Sequence, residues 1–313
     1  MATRIWIDTD IGTDVDDALA LAFALRHPEL ELVGVSTVFG DVELRSKMVD
    51  ALLRLGDARE VPSLVGLGKP LTEGRIGVMF GHEGRGLLEG ASPQLRTDSD
   101  PDPARRVDAL AQAVEAARPD ALVAIGPLTN VAALLRAGVQ LPRLSIMGGK
   151  TAPVEAKGVT PTIDEWNWHC DPDATATLLE QEPPRAGLPR IFPAEITFRT
   201  PLSPGDHTAF AGGDALCRAL GSMSEIWLEK LKEIGNPQPQ ILLHDPLTVA
   251  SIPAPDLCPM EPLRLERDEG TGCARSPGPA NVEVATDVDT QRVRDLVMAV
   301  SYTQLTLPTT IMP

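Results

Sequence analysis

Residues 4–28 read RIWIDTDIGTDVDDALALAFALRHP. Ile5 to Ile7 is a short apolar run that ends on Asp8. Ala18 to Leu25 then carries apolar residues at helical density until His27-Pro28 stops it. The order is strand, acidic loop, helix. A second strand, Leu32 to Val38, ends at Gly40-Asp41 and leads into an amphipathic helix from Leu44 to Leu55. Strand and helix thus alternate twice within about sixty residues, which predicts parallel strands joined by right-handed crossovers.

The alternation continues. Val107 to Ala117 reads as helix, Ala121 to Ile125 as strand, and a helix runs from the turn Gly126-Pro127 through Leu135. Leu144 to Met147 is a strand ending in Gly148-Gly149, and Asp173 to Leu179 resumes helix. Ile191 begins another short strand, and Ala215 to Ile234 is mostly helical until Asn236-Pro237 breaks it. Gly270 to Pro279 reads as a loop, Val282 to Ala285 as a strand and Thr290 to Val300 as a helix. The predicted fold class is α/β, an open and mostly parallel Rossmann-like sheet with helices on both faces. Residues 1–300 read as one domain. Residues 301–313, SYTQLTLPTTIMP, carry no charge and break the pattern. They read as an atypical tail that does not extend the core, and whether they are native stays open.

Composition agrees with this class. The chain has 313 residues, 43% of them hydrophobic but only 4% aromatic, which suits helices interleaved with buried strands better than an all-β sandwich. A formal net charge of -16 excludes a nucleic acid polymer as partner, because that contact needs a basic stripe able to displace counterions. The same field favours a neutral small molecule over a phosphorylated one. The four cysteines, Cys170, Cys217, Cys258 and Cys273, form no C-x-x-C pair. With no apolar stretch near eighteen residues and no room for a signal peptide before Ile5, the expected location is cytoplasmic, away from any membrane.

Asp8, Asp10, Asp14, Asp16 and Asp17 fall within ten residues between the first strand and first helix. One or two acids suffice to cap a helix; five repel one another unless a counter-charge relieves them. A hard divalent cation with oxygen ligands, calcium or magnesium, is the natural relief. The loop also leaves its strand at the carboxyl edge, where open α/β sheets bind ligands.

This loop resembles the D-x-D-P-G-x-D-D signature of the inosine-uridine-preferring nucleoside hydrolase family, here with Ile11 for Pro and two extra residues before the paired acids. The resemblance implies calcium as cofactor. It implies that Asp10 ligates the ion and takes a proton from the attacking water, that Asp16 holds ribose hydroxyls, and that Asp17 is a bidentate metal ligand. Asp14 belongs to the insertion, and its role stays open. AIGPLTNVAALL is similar to the family's second landmark, which makes the Ile125 carbonyl a calcium ligand. DEWNWHCDPDA is similar to the block whose Glu and Asn bind ribose hydroxyls, here Glu165 and Asn167. No residue among Val159, Thr160 and Thr162 matches the Asn that the family carries before that Glu. LLHDPLTVA resembles the C-terminal His-Asp, making Asp245 the last calcium ligand and His244 a candidate acid for the leaving base.

Two segments depart from the pattern. Asp41 stands where many members carry Asn beside the sugar or base. In FGHEGRGL, Phe80 takes the usual His position near the base, and His82 follows two residues later; either His82 substitutes or that contact is missing. The resemblance runs from about Arg4 to Val300. It implies calcium-dependent hydrolysis of the N-glycosidic bond of ribonucleosides to ribose and free base, a salvage activity, by a homodimer or homotetramer. Two alternatives stand beside it: a non-catalytic nucleoside or ribose binder on the same scaffold, and a haloacid-dehalogenase-like phosphatase using Asp8-x-Asp10. The phosphatase would want Thr or Val at Gly12 and leaves GPLTN, EWN and HDPLT unexplained.

Overall fold

The computed structural model describes residues 1–155, 164–182, 186–203, 205–268 and 272–302. Its centre is an eight-stranded sheet. The strands run, edge to edge, Ser63–Val65, Leu30–Thr37, Thr3–Thr9, Ala121–Ala124, Arg143–Met147, Arg190–Phe192, Val282–Ala285 and Met260–Leu263. All neighbours are parallel except the last pair, where Met260–Leu263 lies antiparallel to Val282–Ala285. The α/β class read from the sequence is therefore the observed one.

The chain winds outward from Thr3–Thr9 in one direction, then returns to lay Ala121–Ala124 on its other side. The two strands diverge in connectivity there, so a crevice opens beyond their carboxyl ends. Asp8 and Asp10 leave one of these ends and Ile125 leaves the other. The sheet order alone thus brings together two segments separated by more than a hundred residues.

Side chains alternate between the two faces as strand geometry requires. Ile5 and Ile7 join the cluster under helices Asp16–Arg26, His244–Ala250 and Thr290–Tyr302, whereas Trp6 joins the one with Leu122, Leu144 and Ile146. Helix Asp16–Arg26 is buried from Asp16 through Ala24, its many alanines allowing helix His244–Ala250 to pack alongside. That packing carries Asp245 to the N-terminal turn of the first helix.

Helix Asp16–Arg26 starts two residues earlier than the apolar pattern predicts, taking both aspartates into its first turn. Acids there face the positive end of the helix dipole. The expected loop at Gly270–Pro279 is corrected in part: Gly272–Arg275 is a strand, paired antiparallel with Leu265–Asp268, because Leu265 and Cys273 are buried against the core. Val159, Thr160, Thr162 and the tail beyond residue 302 lie outside the described residues. Among the described residues, no helix is long and apolar enough to cross a membrane.

Candidate active site

Four segments meet at the carboxyl edge of the sheet. Asp10 is buried just past the first strand. Beside it, a Cβ on Gly126 would sit 2.8 Å from Asp10 Oδ1 and 2.9 Å from its backbone nitrogen, so only glycine permits this approach. Ile125 donates its backbone N–H to the Asp8 carbonyl at 2.8 Å, which fixes the height of the second strand end relative to the first. Carboxylate oxygens of Asp14, Asp16 and Asp17 all lie within 4.8 Å of one another. Asp245 arrives from the far end of the chain, its N–H donating to Asp16 Oδ2 at 3.2 Å.

Electrostatics tie the five acids into one centre. Burial pushes Asp10 up to about 6, with Arg45 opposing and Asp14 adding to the rise. Asp16, Asp17 and Asp245 are held well above the ordinary carboxylate range, again by burial first and then by the neighbouring aspartates. Thr9 Oγ1 donates to Asp17 and also accepts from Ile11 N–H at 3.1 Å, pinning the loop at both ends. Asp8 sits behind, accepting from Ser36 and from Asn130 at 2.8 Å, and burial raises it to about 7. Every group that converges here is a hard oxygen donor, and the acids are buried at a separation they cannot tolerate when ionised. This donor set fits a divalent cation of the calcium or magnesium type. Asp14, whose role the sequence left open, belongs to the cluster.

Glu165 and Asn167 come to the same edge. Glu165 caps helix Trp166–Cys170, accepting from Asn167 N–H and Trp168 N–H at 2.8 Å each and from Gly149 N–H at 2.9 Å. Burial lifts it to about 7 despite these three donors. Asn167 Nδ2 donates to the Ile125 carbonyl at 3.2 Å and reaches the Met147 carbonyl at 3.3 Å. The amide thus borders the oxygen expected to ligate the ion.

The two histidines occupy different settings. His244, the first residue of helix His244–Ala250, places Nδ1 2.7 Å from Thr197 Oγ1, with its ring edge-on to Phe198 at 4.8 Å. Burial pushes it down to about 4, so the ring is neutral at pH 7. His82 places Nε2 2.6 Å from the Thr13 carbonyl, and its ring stacks on Trp227. It touches the acidic loop from the side. Asp41 caps helix Val42–Leu55, one oxygen accepting from Leu44 N–H at 3.0 Å and the other from Gln94 N–H at 2.8 Å. Its visible part is structural, one that the comparison with Asn did not bring out.

Three features escaped the sequence reading. Phe80 and Trp166 are 44% and 40% exposed, with ring centroids 5.8 Å apart, and Phe39 meets Trp166 edge-on at 6.2 Å. Together they form an aromatic wall next to Glu165 and Asn167. Thr197, which orients His244, lies in a short helix with no sequence signal. Arg45 is fully buried under the acidic loop. Its signal was present: it shares the apolar stripe of its helix with Met48, Val49 and Leu52, where a charged residue is out of place.

Comparison with known proteins gives the family. The family model described as inosine-uridine preferring nucleoside hydrolase matches residues 5–295. The chain is 31% identical to a non-specific ribonucleoside hydrolase of Escherichia coli, over 96% of this chain and 98% of that one. It is 30% identical to a pyrimidine-specific ribonucleoside hydrolase of Salmonella typhimurium, over 82% and 81%. Among solved structures, a plant nucleoside hydrolase superposes with a TM-score of 0.75 at 26% identity, covering 96% of this chain and 99% of that one. Neither the phosphatase nor the non-catalytic binder is favoured by these matches. With residues 5–295 matched and the site segments in family order, the chain belongs to the inosine-uridine preferring nucleoside hydrolase family, enzymes that hydrolyse N-glycosyl bonds.

Proposed function

We propose that this chain hydrolyses ribonucleosides to ribose and free base, with calcium held by Asp10, Asp17, Asp245 and the Ile125 carbonyl. The observation that carries the reading is the convergence of buried aspartates from residues 10–17 and 245. Calcium suits this set better than magnesium, since it accepts more oxygen ligands, carbonyls among them, in a looser geometry. A bound cation would neutralise the crowded carboxylates and make water easier to deprotonate.

The residues of the chain do the rest. Asp10 accepts the proton of the attacking water. Asp16, Glu165 and Asn167 bind and orient the ribose hydroxyls. Held in place, the sugar enters the oxocarbenium-like transition state with little further loss of freedom, and the surrounding carboxylates favour its positive charge. The aromatic wall of Phe80 and Trp166 offers the departing base an apolar face, with His82 and Asp41 flanking that side. His244, neutral at pH 7, acts through an N–H hydrogen bond to the base, its ring held by the contact of Nδ1 with the Thr197 hydroxyl.

The same reading makes residues 1–300 one catalytic domain, and the protein a cytoplasmic homodimer or homotetramer in nucleoside salvage. Its four cysteines are buried and none belongs to a C-x-x-C pair, which suits a reducing compartment. The test is release of reducing sugar and free base from a panel of purine and pyrimidine nucleosides. Turnover that disappears in EDTA and returns with calcium supports the reading. A protein that binds nucleosides and releases no base under any metal condition refutes it.

A further inference from the structure

The Arg45 side chain has no solvent exposure and, among the described residues, no direct bond to a carboxylate. Its contacts all fall on turns that frame the acidic centre. Nε donates to the Phe39 carbonyl at 2.7 Å. Nη1 donates to the carbonyls of Asp10 and Ile11, the latter at 2.6 Å, and Nη2 to Thr13 Oγ1 at 3.3 Å. Burying a guanidinium is costly unless its donors are satisfied and its charge is answered. Here the answering charge is the aspartate cluster, with Arg45 drawing down the proton affinity of Asp10 and Asp17.

The anchor points are informative. Phe39 ends the turn after the second strand and has a left-handed backbone, φ 63°, an uncommon state for a large side chain. Asp10, Ile11 and Thr13 belong to the loop between the first strand and the first helix, which the resemblance makes two residues longer than the signature it matches. A longer loop has more shapes available and loses more freedom when it is fixed. One rigid, forked cation spans both turns, and a lysine, with a single compact head, cannot reproduce that fork.

We propose that Arg45 is a positioning residue of the metal centre: its buried guanidinium clamps the carbonyl side of the extended loop 10–13 to the turn at Phe39, holding the aspartates in register for the cation. This rests on the reading of the cluster as a calcium site. The clamp accounts for why an extended loop with an additional acid, Asp14, still presents converging carboxylates. It also explains the charged residue on an otherwise apolar helix stripe.

The test is calorimetric titration of calcium into EDTA-stripped wild type, Arg45→Met, Arg45→Lys and Thr13→Val, with thermal melts of each in EDTA. For the folded Arg45 variants the calcium dissociation constant should rise roughly ten- to hundred-fold, the range for groups that orient metal ligands. Thr13→Val, losing one arm of the clamp, should weaken binding by less. At saturating calcium, Arg45→Lys should regain most of its kcat. A residue that only stabilised the fold would lower the melting temperature and leave calcium affinity intact, and that result overturns the proposal. Tighter calcium binding by Arg45→Met also overturns it, because the cation would then act only by repulsion. Should Arg45→Met fail to fold, Arg45→Lys and Thr13→Val decide by the same criterion. No calcium binding by wild type removes the metal reading itself, a failure visible before any variant is compared.

Discussion

Two groups of carboxylates in this protein stand in contrast. On the outer side, Asp206 meets Arg294, Asp214 meets Arg26, Asp256 meets Arg292 and Asp287 meets Arg199. All four acids are held below the ordinary range, Asp206, Asp256 and Asp287 chiefly by hydrogen bonds from their arginines, and Asp214 by the Cys217 amide and Arg26 against the pull of burial. At the carboxyl edge of the sheet the pattern inverts. Asp10, Asp16, Asp17 and Asp245 are buried together, their proton affinities rise, and among the described residues no arginine bonds to their carboxylates. The chain readily pairs acids with arginine where an acid only has to be stable. Withholding that partner from the most crowded acids reserves them for a charge supplied from outside.

The sharpest way to break this contrast is to remove an acid from the buried population. Asp10→Ala should fold and lose on the order of 10³-fold in kcat, the scale of a general base. Steady-state hydrolysis of the best substrate in the panel measures this, and near-normal turnover would reassign the base. Next in size is His244→Ala, expected to lower kcat by roughly 10²-fold through loss of the donor to the base. The loss should shrink for a nucleoside whose base departs without protonation; an equal loss across leaving groups would mean that His244 only packs against Phe198.

Acids buried behind the cluster and acids paired with arginine also differ in the sign of their pH dependence. Glu165, at about 7 in the folded protein against an ordinary 4.5, and Asp8, at about 7 against 3.8, hold protons in the folded state that the unfolded chain has released. Their stabilisation is complete below the unfolded values and is lost as pH rises through about 7. Asp206 and Asp214 act oppositely, losing their contribution as pH falls below 3.8. Thermal melts in EDTA should therefore weaken from about pH 4 to pH 7, and Glu165→Gln should flatten that slope. A metal-free melting temperature that rises over this window would contradict the assignment. The smallest effect belongs to Arg292→Ala. Losing its exposed pair with Asp256 should leave hydrolysis unchanged and lower the melting temperature only slightly.

Much of this was legible in the sequence. Strand and helix periodicity from Ile5 to Leu55 dictated a parallel α/β sheet, because buried strands and amphipathic helices leave different apolar spacings. The aspartate cluster stood out because five acids exceed any capping need. The strand Ser63–Val65 and the antiparallel edge Met260–Leu263 were missed, since so few half-exposed residues carry no period. Within the site, the loop acids, Glu165 and Asn167 were readable as motif residues. The sequence could not reveal that Asp41 gives both oxygens to backbone amides, or that burial would keep His244 neutral. Those outcomes depend on what packs around the side chain. Arg45 was visible as an anomaly on an apolar stripe, but its partners come from two separate turns and appear only in three dimensions.

Retention of radioactive calcium in equilibrium dialysis, with wild type beside Asp245→Ala, tests the centre most directly. Asp245 lies more than two hundred residues from Asp17, so a shared ion is the strongest consequence of their convergence. One calcium held per wild-type chain and none by a folded Asp245→Ala is the expected result. Wild type that retains no calcium, or a variant that retains as much as wild type, would contradict it.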